Sequence, residues 1–135
     1  MKQIVPYLLF DGQAEEALQF YKDTFHGEIL AFQKFGEADY PTPKEAKNRV
    51  MHARLRSGDF IIYMSDTFPD QPYKQGNAIS LAIELENDEE MKEIYNKLKN
   101  NGQVFMEMQK TFWGATYAKV QDKFGIVWDL NCQSS

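Results

Sequence analysis

The feature that most constrains the fold of this 135-residue chain is an internal repeat of secondary-structure patterns. Each half reads, in order, as a strand, a helix and three further strands. Glycines mark corresponding places in the two halves. Gly27 aligns with Gly102 after the helix, and Gly58 aligns with Gly125 before an apolar strand. The repeat predicts an α+β fold built from two βαβββ modules, with an α+β sandwich of two unrelated halves as the alternative.

The length of the chain predicts one domain, residues 1–135, long enough to bury roughly 68% of the surface of its unfolded chain. We place the first module at residues 1–66, the second at 77–135, and a proline-containing linker at 67–76. The sheet of a single βαβββ module has exposed edges. Two such sheets placed edge to edge would form an eight-stranded open cup with the helices outside and a concave inner face.

Two amphipathic helices are predicted from apolar residues at helical spacing. The first covers residues 13–25, with Asp11 near its N-cap and Gly27 as the left-handed residue at its end. The second begins at Asn87, with a capping box between Asn87 and Glu90. The eight predicted strands cover residues 4–10, 28–35, 49–56, 60–65, 78–86, 103–109, 116–120 and 126–131.

Composition and charge argue against several classes of function. The formal net charge is −5 and no run of basic residues occurs, so we expect no nucleic-acid partner. No window reaches the length of apolar sequence that a membrane span needs, and the N-terminus does not resemble a signal peptide. The single cysteine, Cys132, rules out an internal disulfide and agrees with a reducing compartment. Together these features predict a cytoplasmic protein with no membrane partner.

The predicted inner face carries polar side chains that suit a small-molecule ligand. Alternation along the strands puts Ser80 and Glu84 on this face from the fifth strand and Asp129 from the last. His52 and Arg54 share one face of the third strand. Such a set can bind an anionic or carbonyl compound, and His52 can act as an acid or base near neutral pH. The alternative for His52 is a hydrogen bond within the sheet or a place on a solvated face.

Two aromatic residues complete the candidate ligand-binding set. Tyr63 lies on the fourth predicted strand. Trp113, next to Gly114, is either an aromatic lid over the cup or part of a hairpin loop packed on the sheet edge. The candidates are therefore His52 and Asp129 for catalysis and Arg54, Tyr63, Ser80, Glu84 and Trp113 for ligand binding.

Several short segments of the chain, read in order, match those of one known family. Taken together they run through nearly the whole sequence, and their order is more specific than any one of them. The segments are residues 6–12 (PYLLFDG), 16–18, 20–21, 51–55 (MHARL), 58–59, 64–66 (MSD), 111–114 (TFWG) and 122–128 (DKFGIVW). The order of elements resembles that of the vicinal-oxygen-chelate superfamily, which includes glyoxalase I, extradiol dioxygenases and fosfomycin-resistance proteins. More narrowly, these segments resemble those of PhnB-like proteins. The resemblance implies a glyoxalase-like cup and, commonly, a homodimer.

The resemblance also implies where the superfamily holds a divalent metal: on the first and last strand of each module. Carried over to this sequence, the four positions fall on Pro6, Ile62, Ser80 and Asp129. Proline and isoleucine have no ligand atom and serine is a poor ligand, so Asp129 is the one suitable residue among the four. We therefore expect no metal and no other cofactor, with a divalent ion at a rearranged site as the alternative.

Two main classes of function remain. The first is binding of a small molecule in the cup without metal or catalysis. The second is an enzyme of the superfamily, a lyase, isomerase or dioxygenase-like protein that uses His52 and Asp129. PhnB-like proteins often carry a label as ubiquinone-pathway methyltransferases, but the sequence has no Gly-rich strand-to-helix turn for a nucleotide-like cofactor, so we expect no methyl transfer. A weaker third idea is a structural partner that uses loop aromatics such as Phe68 and Phe112.

Overall fold

The first five elements form a four-stranded sheet with one helix. The computed structural model describes residues 1–39 and 41–133. Strands β1, β4, β3 and β2 lie side by side in that order, with β1 parallel to β4 and the other neighbours antiparallel. In chain order the elements are β1 (Tyr7–Phe10), α1 (Ala14–Phe25), β2 (Glu28–Lys34), β3 (Val50–Ser57) and β4 (Phe60–Asp66). Short 3-10 turns lie at Phe35–Glu37 and Lys44–Ala46, between β2 and β3.

The remaining elements repeat this topology. Strands β5, β8, β7 and β6 are neighbours in that order, again with the first strand parallel to the last. The elements are β5 (Leu81–Glu84), α2 (Asp88–Lys99), β6 (Gln103–Lys110), β7 (Ala115–Gln121) and β8 (Val127–Gln133). The prediction of an α+β fold with two βαβββ modules is therefore confirmed.

The chain divides into two compact units, Met1–Lys74 and Gln75–Ser135. The division falls inside the predicted linker, residues 67–76. The single domain and the concave cup stay predictions. In the part of the chain that the structure describes, no helix is long and apolar enough to cross a membrane.

Helix α1 packs its apolar stripe against β3 and β4. The stripe follows from spacing: residues at i, i+3, i+4, i+7 and i+11 point to one side of a helix. Its members are Ala14, Ala17, Leu18, Tyr21 and Phe25, all buried. In the second unit, α2 buries Met91, Ile94, Tyr95 and Leu98 against its own sheet in the same way.

The N-terminus of α1 is capped by a residue distant in sequence. Asp66 Oδ1 accepts hydrogen bonds from the backbone N–H groups of Gly12 (2.8 Å) and Ala14 (3.0 Å), and Oδ2 accepts one from Val50 (2.9 Å). The prediction of Asp11 as the cap is wrong, because the parallel pairing of β1 with β4 brings the buried Asp66 carboxylate to this helix end. Asp11 pairs with Arg49 instead, at 2.9 Å.

The other predicted caps have mixed outcomes. Asn87 accepts a hydrogen bond from the backbone N–H of Glu90 at 2.8 Å, as predicted, while the Glu90 side chain bonds the N–H of Glu86 rather than that of Asn87. At the end of α1 the left-handed residue is His26, with φ 52°, and not Gly27. Position 27 favours glycine for another reason: the backbone packs closely on β3, and a Cβ there would lie 2.9 Å from Leu55 Cδ1.

Candidate functional site

Each sheet has one face covered by its helix and an opposite face that carries exposed polar side chains. On β3, Ala53 and Leu55 are buried on the helix side, whereas Arg54 between them is exposed. On β8, Trp128 and Leu130 are fully buried, whereas Asp129 between them is half-exposed. The candidate residues on these strands therefore lie on the sheet faces opposite the helices, as strand alternation requires.

The first unit brings Tyr7, His52, Arg54 and Tyr63 together; we call these four residues the first-unit cluster. Arg54 Nε donates a hydrogen bond to His52 Nε2 at 2.9 Å, and the Tyr7 hydroxyl lies 3.3 Å from His52 Nδ1. Arginine has no acceptor, so His52 Nε2 must be the unprotonated nitrogen and Nδ1–H donates to the Tyr7 oxygen. Burial first, and the nearby Arg54 charge second, lower the pKa of His52, which keeps the imidazole neutral.

Aromatic rings surround the arginine of this cluster. The Arg54 guanidinium lies 4.8 Å from the centre of the Tyr63 ring, within range of a cation–π interaction. Tyr7 meets Tyr63 edge to face, with ring centres 5.9 Å apart, and the His52 ring lies 5.4 Å from Tyr63. The structure thus joins three sequence-predicted residues with Tyr7, which the sequence analysis missed. Tyr7 could have been found by alternation, because Leu8 and Phe10 on β1 are apolar and buried.

The second unit brings Ser80, Tyr117 and Asp129 together; we call these three residues the second-unit cluster. The Ser80 hydroxyl donates to Asp129 Oδ2, and the Tyr117 hydroxyl donates to Oδ1. Burial, followed by the hydrogen bond to Asp129 and the charge of that carboxylate, raises the pKa of Tyr117 to about 12. The sequence analysis also missed Tyr117. Alternation along β7 could have indicated it, because Thr116, Ala118 and Val120 are buried and Tyr117 lies between the first two.

The two remaining candidates lie elsewhere in the second unit. Glu84 is exposed on β5 and accepts a hydrogen bond from Asn131 Nδ2 at 2.8 Å. Trp113 lies in the turn between β6 and β7, where its ring meets Phe112 edge to face at 4.8 Å. Among the described residues, no hydrogen bond or ring contact joins Trp113 to the second-unit cluster.

One of the four inferred metal positions falls on a side chain that the structure buries. Ile62 is fully buried, whereas Tyr63, the next residue along β4, lies on the opposite face beside Arg54 and Tyr7. The count of four residues from Gly58 and from Gly125 assumes turns of equal length, but the β3–β4 turn is shorter than the β7–β8 turn. A one-residue slip moves a strand residue to the opposite face.

The residues at the inferred metal positions do not fit a divalent metal. Both carboxylate oxygens of Asp129 already accept hydrogen bonds from hydroxyl groups. Over residues 1–39 and 41–133, no three His, Cys, Asp or Glu side chains are grouped closely enough to hold an ion. A metal centre of the superfamily's kind needs several nitrogen or carboxylate ligands together.

Comparisons with known proteins place the chain among well-defined relatives. The family model described as 3-demethylubiquinone-9 3-methyltransferase matches residues 2–131. Protein YjdN of Escherichia coli K12 is 32% identical over 136 residues, which cover 93% of this chain and 92% of that protein. The crystal structure of protein PA1353 from Pseudomonas aeruginosa is 36% identical, covers 100% of both chains and superposes with a TM-score of 0.90.

Two further solved structures extend the comparison. The PhnB protein of Bacillus cereus is 25% identical, covers 97% of this chain and 99% of its own, and has a TM-score of 0.82. A glyoxylase/bleomycin resistance protein/dioxygenase domain from Frankia has a TM-score of 0.70 over 100% of this chain and 94% of its own, at 10% identity. At that identity the likeness shows the fold alone.

Proposed function

The chain belongs to the PhnB-like family described as 3-demethylubiquinone-9 3-methyltransferase, with the fold of the vicinal-oxygen-chelate superfamily, and on that premise we propose that it binds a small molecule without a metal. The ligand lies on the polar sheet faces, away from the helices. Binding there needs neither a resident cofactor nor a covalent step.

The second-unit cluster is the observation that carries this proposal. Asp129 is held by the hydroxyl groups of Ser80 and Tyr117, so its carboxylate has one orientation while it stays half-exposed. Small-molecule sites combine a few polar groups of fixed direction with an apolar surround. A hydrogen-bonded carboxylate on a central strand, on the face that the helix does not cover, supports such a site.

Methyl transfer is not part of the proposed function. A nucleotide-like cofactor is typically bound at a Gly-rich turn between a parallel strand and the following helix. The β1–α1 connection, residues 11–13, has a single glycine, and the β5–α2 connection, residues 85–87, has none. S-adenosylmethionine therefore serves as a negative control in the binding test.

The alternative of an enzyme that uses His52 and Asp129 is supported less well. A general base needs a free lone pair within reach of the proton it removes. The single lone pair of His52 Nε2 already accepts from Arg54, so this nitrogen is not open to a substrate proton. Each Asp129 oxygen accepts one hydrogen bond from a hydroxyl group, which stabilises the carboxylate and makes it a weaker base.

Two-dimensional amide NMR with a library of small fragments tests the proposal. We expect a subset of fragments to shift the resonances of β7 and β8. Asp129→Ala should abolish those shifts, while Glu93→Gln, which removes a carboxylate from an exposed helix pair with Lys97, should bind as the wild type does. A library that leaves every resonance in place contradicts the proposal.

Metal analysis of the purified protein tests the metal-free part of the proposal. We expect divalent ions well below one per chain, in wild type and Asp129→Ala alike. A stoichiometric ion that Asp129→Ala removes would show that the site is a metal site after all.

A further inference from the structure

Arg54 is a cation without a carboxylate partner in an acidic chain. The sequence has 20 acidic and 15 basic residues, three of them arginines. Arg49 pairs with Asp11, and Arg56 pairs with Glu28. Over the part of the chain that the structure describes, Arg54 alone of the three makes no ion pair, although it is exposed on the same strand face as Arg56.

The environment of Arg54 holds its guanidinium in one orientation. Nε donates to His52, and the guanidinium carbon lies over the Tyr63 ring, 4.8 Å from its centre. The hydrogen bond to His52 uses Nε, and the two terminal nitrogens have no hydrogen-bond partner among the described residues. A guanidinium presents its donors as a rigid fork that matches a carboxylate with two parallel hydrogen bonds.

The neighbouring rings define the rest of the ligand. Tyr7 and Tyr63 meet edge to face beside the guanidinium, and Tyr7 is 49% exposed. Exposed ring surface next to a fixed cation favours a ligand with an apolar or aromatic body and one anionic end. His52 holds the guanidinium in place by accepting the hydrogen bond from Arg54 Nε, which only the neutral imidazole can do.

We propose that the first-unit cluster binds the carboxylate of a small aromatic acid, with Arg54 as the anion receptor and Tyr7 and Tyr63 as the aromatic wall. This inference rests on the proposed function and names the chemical class of one of its ligands. Arg54 Nη1 and Nη2 donate to the two carboxylate oxygens, and the ligand ring lies against the tyrosines.

Benzoate and its neutral counterpart benzamide are the probes, titrated into the full chain by calorimetry and followed by amide NMR. We expect wild type to bind benzoate in preference to benzamide, with shifts on β1, β3 and β4. Loss of two charge-assisted hydrogen bonds in Arg54→Gln should weaken benzoate binding by about tenfold or more. Arg56→Gln is the matched control, because Arg56 lies two residues along the same strand and already has a carboxylate partner; it should bind benzoate as wild type does.

Three further variants separate the contribution of charge from that of shape. Arg54→Lys keeps the charge but not the fork and should bind benzoate more weakly than wild type. Tyr63→Phe keeps the ring and should bind normally, whereas Tyr63→Leu should lose affinity for benzoate.

Three results would overturn the inference: equal affinity for benzoate and benzamide, unchanged affinity in Arg54→Gln, or equal losses in Arg54→Gln and Arg56→Gln. If benzoate does not bind while library fragments still shift β7 and β8, the inference fails and the proposed function stands. If no fragment binds anywhere, both fail.

Discussion

At the scale of single residues, hydrogen-bond partners decide what each candidate side chain can do. From the sequence, His52 is a candidate acid or base, yet in the structure its Nε2 accepts a hydrogen bond from Arg54. From the sequence, Asp129 is the one suitable metal ligand of the four positions, yet in the structure each of its oxygens accepts a hydrogen bond, from Ser80 and from Tyr117. Arg54 is two residues from His52, whereas Ser80 and Tyr117 are distant from Asp129 in sequence, and each neighbour changes the chemistry expected of the residue type.

Arg54→Gln should raise the pKa of His52 without restoring its usual value of 6.5. The substitution removes the charge of Arg54 but leaves burial, the larger cause of the lowered pKa. NMR titration of the imidazole resonances measures this, and His26, the other histidine, is assigned in parallel. A His52 pKa that stays the same or falls in Arg54→Gln would contradict the assigned cause.

The lowered pKa of His52 also predicts how stability varies with pH. As the pH falls below 6.5, the unfolded chain takes up a proton at His52 before the folded protein does, so the free energy of unfolding decreases down to the folded-state pKa. Chemical denaturation at a series of pH values should show this slope in wild type and a smaller slope in His52→Gln. Equal slopes in the two proteins would mean that His52 is not the group responsible.

Asp129→Asn should lower the pKa of Tyr117 from about 12 toward its usual value of 10.0. The variant removes the carboxylate charge that disfavours a phenolate, while burial remains and keeps the pKa partly raised. Ring-carbon NMR of labelled tyrosine resolves this titration from those of the other six tyrosines. Asp88→Asn, which alters a more distant carboxylate paired with Lys110, serves as the control and should leave Tyr117 unchanged.

At the scale of secondary-structure elements, apolar periodicity and the Asn87 cap were predicted correctly, whereas the left-handed residue after α1 and the side-chain cap of α1 were not. The apolar stripes of both helices and the Asn87 cap are decided within one or two turns of chain, and all are confirmed. The cap of α1 comes from Asp66, which is far away in sequence and reaches the helix only because β4 pairs with β1. No pattern near residue 11 carries that information.

Asp66→Ala should destabilise the protein far more than Asp11→Ala. Asp66 is buried and accepts three backbone hydrogen bonds, so its loss should cost about 2 to 4 kcal/mol in the free energy of unfolding. Asp11 makes a partly exposed ion pair with Arg49, whose loss should cost about 1 kcal/mol or less. Urea denaturation of both variants measures the difference, and equal losses would show that Asp66 is not the functional cap.

At the scale of the whole molecule, the repeat predicted the topology of each unit. Parallel pairing of the first strand with the last is the same in both sheets, and the family comparison agrees with that arrangement. The strand ends were less accurate: β1 begins at Tyr7 rather than at residue 4, and β5 covers Leu81–Glu84 rather than residues 78–86. The cytoplasmic location and the cup stay predictions.

The protein is predicted to be a homodimer. Apolar side chains remain exposed on the edge strands of both sheets, among them Leu30 and Phe32 on β2 and Phe105 and Met106 on β6. Exposed apolar surface on sheet edges favours association with another chain. Sedimentation equilibrium at micromolar concentration should give twice the mass of 15.7 kDa, and a monomer mass would contradict the prediction.

The sequence by itself determined the element order, the helix stripes and which strand residues alternate, because these depend on periodicity along a short stretch of chain. Only the tertiary structure decided that Asp66 caps α1, that Ile62 is buried on the face of β4 opposite Tyr63, and that Tyr7 and Tyr117 join the two clusters. Those contacts depend on register between strands distant in sequence. Turn length sets the register and a one-residue slip reverses it, so counting along the chain could not supply it.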